Sequence, residues 1–140
     1  MMFVDASAIV AILSRESGWE DILGQLDANG GTQYVSPLVR FETVQALARK
    51  RAGSSARPTA DTIEEATAIF DAFVARLRIE EVPVSTQIGG LALMTSARFG
   101  KLVGHPAALN FADCFAYACA KSLGVPLAYK GDGFAQTDLA

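Results

Sequence analysis

Four short strand-like runs, MMFV (1–4), TQYV (32–35), RIEEVPV (78–84) and VPLAY (125–129), are separated by stretches of helical periodicity. That alternation constrains the fold more than any other feature of the chain. Strands this far apart in sequence cannot be joined by tight hairpins, and a strand, helix, strand succession gives parallel pairing through crossovers. A parallel sheet is covered by helices on both faces, so its strands are apolar on both sides. At 140 residues, one α/β domain spanning 1–140 and built on a single core is expected, with no internal repeat.

The helical segments carry their own punctuation. SAIVAIL follows the first strand directly. Ser17 to Ala28 places Trp19, Ile22, Leu23 and Leu26 at helical spacing and stops at Gly30–Gly31; the stripe reads first as core, otherwise as a surface for a partner. Ser36–Pro37 is an N-cap followed by the residue best tolerated at the first helical position, and that helix runs to about Ala52 with Gly53 after it. Thr62 with Glu65 predicts a capping box ahead of the stripe Ile63, Ala66, Phe70, Phe73, Val74 and Leu77. Ser85 opens a helix that ends near Phe99, KLVGHPAA reads as a loop, and Asn110 and Gly124 bound the last helix.

Hydrophobic residues make up 51% of the chain and charged ones 19%, enough to offset the entropy of ordering. Only GSSARPT at 53–59 reads as disordered. Apolar runs are broken well short of the roughly 18 residues a membrane span needs, and no basic segment precedes an apolar one as in a leader. A soluble, cytoplasmic protein is expected. Cys114 and Cys119 lie too far round a helical turn to bridge and lack the spacing of a zinc site, so they read as small core residues in a reducing compartment. The net charge of −3 argues against coating nucleic acid by bulk positive charge, and any phosphate contact must be local.

Four acids sit where solvation alone would not put them. Asp5 ends the first strand, Glu42 shares a helix with Leu38 and Phe41, Asp113 lies in the first turn of a nearly all-apolar helix, and Asp132 follows the last strand. Each has an ordinary reading: Asp5 as the N-cap of the next helix, Glu42 as a solvated position, Asp113 as the partner of Asn110 in a capping box, Asp132 as a turn residue. Together they say more. Ligand sites of open parallel sheets form beyond the carboxyl ends of the strands, and carboxylates gathered partly out of water either protonate or hold a cation. A hard divalent ion such as Mg²⁺ is the cation such oxygen donors suit.

The segments FVDASAIVAIL, SPLVRFETVQALARKR, HPAALNFADCFAYACAKSLGVPLAYKG and FAQTDL resemble, in order and over essentially the whole chain, a PIN-domain ribonuclease, specifically a VapC-type toxin of a type II toxin–antitoxin pair. The resemblance implies an α/β/α sandwich on a short parallel sheet. It also implies an acidic metal-binding core of Asp5, Glu42 and Asp113, with Ser7 of the D-x-S turn in support. Two positions depart from the pattern. Members commonly read KG-x-D-F after the last strand, whereas this chain reads KGDGF, and Ala112 replaces the usual glycine before the aspartate. The fourth acid is then Asp132 on a shifted loop or Asp138 through the T-x-D turn, unless the site works with three.

The resemblance further implies metal-dependent hydrolysis of RNA phosphodiesters with Mg²⁺ or Mn²⁺, an exposed single-stranded or looped substrate, a homodimer, and a cognate VapB-type antitoxin whose tail occupies the site. Arg40, Arg49, Lys50 and Arg51 are candidate phosphate contacts, or in part simply cations favoured at a helix C-terminus, and Lys101 and Lys130 are similar candidates. His105 before Pro106 reads as a turn residue. The rival readings are a non-catalytic PIN module that binds RNA or a partner, and a phosphatase-like domain. The latter wants a second Asp two residues after the first, where this chain has Ser7.

Overall fold

The computed structural model describes residues 1–140. Its elements run β1 (Met2–Val4), α1 (Ala6–Leu13), α2 (Trp19–Asn29), β2 (Gln33–Val35), α3 (Pro37–Ala52), α4 (Ala60–Leu77), β3 (Glu80–Glu81), α5 (Thr86–Phe99), α6 (Phe111–Leu123) and β4 (Leu127–Ala128), with 3-10 turns at Lys101–Val103 and Phe134–Gln136. The four strands pair in the order β3-β2-β1-β4, every pair parallel. This is the expected α/β/α sandwich. Phe3, Val4 and Val35 are fully buried, as strands covered on both faces require. No helix is long and apolar enough to cross a membrane.

The start signals work where they are local. The Ser36 hydroxyl accepts a hydrogen bond from Val39 N at 3.3 Å with Pro37 at the first helical position, and Ser85 caps α5 in the same way. α4 differs from expectation. Its capping box is Thr59 with Thr62, one turn earlier than the Thr62–Glu65 pairing, and Glu65 instead reaches Arg51 on α3 at 2.7 Å. The segment RIEEVPV contributes only Glu80–Glu81 as a strand; the ladder ends where Val82 N donates to Val35 O, because β2, its only neighbour, stops there and the chain turns into α3. Both residues are exposed at the sheet edge, where charge discourages further pairing.

Ile22 and Leu26 of α2 are buried, and Trp19 and Leu23 pack partly buried against the same core, so that stripe belongs to the interior. Cys114 and Cys119 are buried and unpaired. The His105 ring stacks edge-on against Phe99, and its Nδ1 accepts from Ala107 N at 3.0 Å, which makes it a turn residue.

Candidate active site

Because every strand is parallel, the carboxyl ends of β1 and β4 lie side by side, and the chain leaves them through Asp5 and through Tyr129–Gly131. Asp5 is the N-cap of α1: its Oδ2 accepts from Ser7 N at 3.0 Å and from Ser7 Oγ at 2.5 Å. Ser7 Oγ in turn accepts from Lys130 N at 3.0 Å, which ties the loop after β4 to the acid after β1. Asp5 is 3% exposed, and its other oxygen, Oδ1, is buried with no partner. The capping reading is therefore correct for one oxygen and leaves the second unexplained.

Glu42, Ala46 and Arg49 line the same cleft as Asp5, spaced four and three residues apart on α3 so that they share one face. Val39, Thr43, Val44, Leu47 and Ala48 form the buried side of that helix. Asp113 reaches the cleft from the first turn of α6, where a capping box fixes it: its Oδ2 accepts from Asn110 N at 3.0 Å, and Asn110 Oδ1 accepts from Asp113 N at 2.9 Å. The cleft holds about 400 Å³ and is completed by Ser7, Glu16, Lys130 and Gly131.

Electrostatics follow from this crowding. Burial pushes the Asp5 carboxyl up to about 6 against the pull of its Ser7 hydrogen bonds, with the Asp113 charge adding to the rise. Burial, then the charges of Asp5 and Asp113, push Glu42 up to about 7. Asp113 is raised by burial and held back by the Asn110 N–H. None of the three forms an ion pair.

A profile of the PIN domain family matches residues 2–139. A VapC ribonuclease of Rhizobium meliloti (strain 1021) is 50% identical over 141 residues, covering 99% of each chain. The chain belongs to the PIN domain family. Within its VapC branch, ribonuclease VapC42 of Mycobacterium tuberculosis (strain H37Rv) is 31% identical over 138 residues, covering 99% of this chain and 96% of that one. Two solved structures share the fold at low identity. One is Mycobacterium tuberculosis VapC20, described as a sarcin-ricin loop cleaving toxin, with TM-score 0.63, 22% identity, and 96% and 94% of the two chains covered. The other is VapBC2 of Rickettsia felis bound to a fragment of promoter DNA, with TM-score 0.65, 14% identity, and 97% and 92% covered.

This PIN domain brings together three of the four expected acids. Asp132 is exposed and does not line the cleft. The loop turns away at Gly131, whose φ of +109° only glycine adopts easily, and a Cβ at Gly133 would stand 3.1 Å from Ala107 O. The glycine that displaces the usual aspartate thus lets the loop pack on a carbonyl. Asp138 is also elsewhere, accepting from Tyr117 Oη at 2.5 Å and from Lys121 Nζ at 2.8 Å.

Of the four cations expected on α3, only Arg49 lines the cleft. At about 100° per residue, Arg40 and Arg51 fall on the far side of the helix from Glu42. Arg40 accordingly pairs with Asp71 and with Glu81 at 2.6 Å, and Arg51 with Glu65. Lys50 sits between the two sides and pairs with Glu16 at 2.9 Å. Lys101 lines a separate apolar groove. Glu16, in the turn between α1 and α2, was not foreseen: its partners lie on α3 and after β4, and nothing local marks it.

As they stand, no three His, Cys, Asp or Glu side chains are arranged to enclose one metal ion. The donor chemistry nonetheless fits a hard cation: three unpaired carboxylates, one with a buried oxygen that lacks a partner. Mg²⁺ or a similar ion takes one or two carboxylates and keeps several waters, which suits an open cleft.

Proposed function

We propose that this protein is a metal-dependent endoribonuclease toxin of a type II toxin–antitoxin pair, acting in the cytoplasm and hydrolysing phosphodiester bonds of single-stranded or looped RNA. The observation that carries it is the gathering of Asp5, Glu42 and Asp113 in one cleft, unpaired and raised by burial, in a chain of the VapC branch. Asp5 through Oδ1, Glu42 and Asp113 would hold Mg²⁺ or Mn²⁺. When bound, such an ion offsets charge building on the phosphate and makes water more acidic.

The protein's own groups do the rest. Ser7 keeps Asp5 Oδ2 occupied and leaves Oδ1 as the oxygen without a partner, and Asn110 fixes Asp113. Arg49 and Lys130, at the edge of the cleft, take phosphate oxygens flanking the scissile one. The three acids suffice, and Asp132 serves the turn. The partners are RNA, a cognate VapB-type antitoxin and a second copy of the chain. An apolar groove of about 940 Å³ beside α5 and the start of α6, where Leu93, Leu102 and Phe111 are exposed, is surface of the kind a protein partner covers.

The test is cleavage of total RNA by purified, antitoxin-free protein with Mg²⁺ or Mn²⁺ against EDTA. Cutting that needs metal, is lost in Asp113→Ala and survives in Asp132→Ala is expected. Folded wild type that cuts no RNA under either metal refutes the assignment and leaves a binding module.

A further inference from the structure

Glu16 occupies the rim of the acidic cleft, yet it is not one of the acids that would hold an ion. Its two oxygens are divided between two lysines: Oε2 lies 2.9 Å from Lys50 Nζ and Oε1 lies 3.1 Å from Lys130 Nζ. The other surface pairs of α3, Arg51 with Glu65 and Arg40 with Asp71 and Glu81, connect it to α4 and β3. Glu16 instead fastens the turn after α1 to the last turn of α3 and to the loop after β4, across the mouth of the cleft.

On the other side of this bridge lies a second groove, of about 480 Å³, lined by Arg49, Lys50, Gly53, Ser54, Ala56, Arg57 and Pro58. It contains three cations and no acid. Arg49 lines both cavities, Glu16 and Lys130 line only the acidic one, and Lys50 lines only the basic one. The Glu16–Lys50 pair therefore stands on the boundary between them. A strand with one phosphate among the acids and its neighbours in the basic groove passes over that pair.

We propose that Glu16 is an internal substitute for an RNA phosphate, holding Lys50 and Lys130 in place until the backbone of a single strand displaces it. A phosphodiester, like a carboxylate, offers two anionic oxygens, so one phosphate can take both lysines in the same arrangement. All three side chains are partly exposed, at 29%, 48% and 36% for Glu16, Lys50 and Lys130, so solvent and ligand reach them. Pairs this exposed are weak and exchange readily. The lysines hold the Glu16 carboxyl below its ordinary range, so it competes as an anion. Part of the basic surface of an acidic protein is in this way neutralised until RNA arrives.

The inference rests on the ribonuclease reading, and its test is kept separate from cleavage. Binding of a short fluorescent single-stranded RNA is measured in EDTA over a salt series for wild type, Glu16→Gln, Glu16→Asp and the control Glu64→Gln. Glu64 is exposed on α4 and lines neither cavity. Glu16→Gln is expected to bind about threefold to tenfold tighter, as release of two exposed pairs allows, with a log–log salt slope steeper by about 0.7 for each added single-strand contact. Glu16→Asp, too short to span both lysines, gives a smaller gain, and Glu64→Gln almost none. The gain disappears when Lys50→Gln and Lys130→Gln are added to Glu16→Gln.

Binding by Glu16→Gln that is no tighter than by Glu64→Gln, or weaker than by wild type, overturns the inference. So does a gain that persists without the two lysines. Metal-dependent cleavage by the same preparations decides the other question: cutting without the binding gain leaves the nuclease and removes the gate, and the gain without cutting does the reverse.

Discussion

Asp5→Asn is the sharpest perturbation of the site, because its effects on stability and on activity have opposite signs. Buried Asp5 titrates at about 6 in the fold against an ordinary 3.8. At about 1.4 kcal/mol per tenfold change in the proton equilibrium, holding it ionised costs the metal-free native state about 3 kcal/mol at neutral pH. The sign is fixed by proton counting. Between 3.8 and 6 the unfolded chain has lost the proton that the folded chain keeps, so stability falls as pH rises through this window and stays low above it. Asparagine keeps the N-cap, since its carbonyl oxygen still accepts from Ser7 N, and carries no charge.

In EDTA at pH 8, Asp5→Asn is therefore expected to be more stable than wild type by up to about 3 kcal/mol, an increase in Tm on the order of 10 °C for a domain of this size. The gap closes as pH falls toward 4. Glu42, also raised, adds to the wild-type slope up to about 7, but it is only partly buried and contributes less than its shift alone suggests. Adding Mg²⁺ or Mn²⁺ raises the Tm of wild type and not of the variant, which no longer cleaves RNA. The assay is thermal melting from pH 4 to 8 with and without metal. A variant no more stable than wild type at pH 8, or a gap that does not shrink on acidification, refutes the claim that Asp5 is held charged at the expense of the fold.

Ser7→Ala removes the donor to Asp5 and the acceptor for Lys130 N; it is expected to cost about 1–3 kcal/mol by melting and to move the acidic limb of the pH–rate profile to higher pH, because the Ser7 bonds hold Asp5 down. Asp113→Asn keeps the cap on Asn110 N, so its stability in EDTA is expected to match or exceed wild type while cleavage is lost, and Asn110→Ala should lose about 1 kcal/mol. Thr43 is fully buried with its hydroxyl unpartnered, and Thr43→Val should raise stability by about 1 kcal/mol in denaturant melts without altering cleavage.

Several local signals in the sequence are read correctly. Ser36–Pro37 and Asn110 with Asp113 satisfy helix ends within three residues, and both sit where the pattern puts them. The acids at 5, 42 and 113 stand out because each breaks an apolar context, and the fold brings all three to one cleft. The other differences are mostly tertiary. Thr62 with Glu65 is the expected box, whereas α4 is capped one turn earlier by Thr59 with Thr62, and Glu65 pairs with Arg51 on another helix. The third strand shrinks because it is an edge whose only neighbour, β2, ends at Val35. Arg40 and Arg51 were candidates by proximity to Glu42 in sequence, yet helical phase turns them toward acids on other elements. Glu16 carries no local mark at all.

The pairing of β1 with β4 also sets when, along the chain, the cleft can be completed. Asp5 is in the first strand synthesised, but its neighbour Ala128, the Lys130 amide that secures Ser7, and Gly131 on the cleft wall come more than a hundred residues later. During translation β1 can pair with β2, while its other edge stays open until residues 127–128 have emerged. A chain that stops before them carries all three acids but lacks the β4 partner of β1 and the part of the cleft wall formed by Lys130 and Gly131. The wall of the cleft is thus completed by the last part of the chain to be made, and until then the central strand β1 has one unpaired edge.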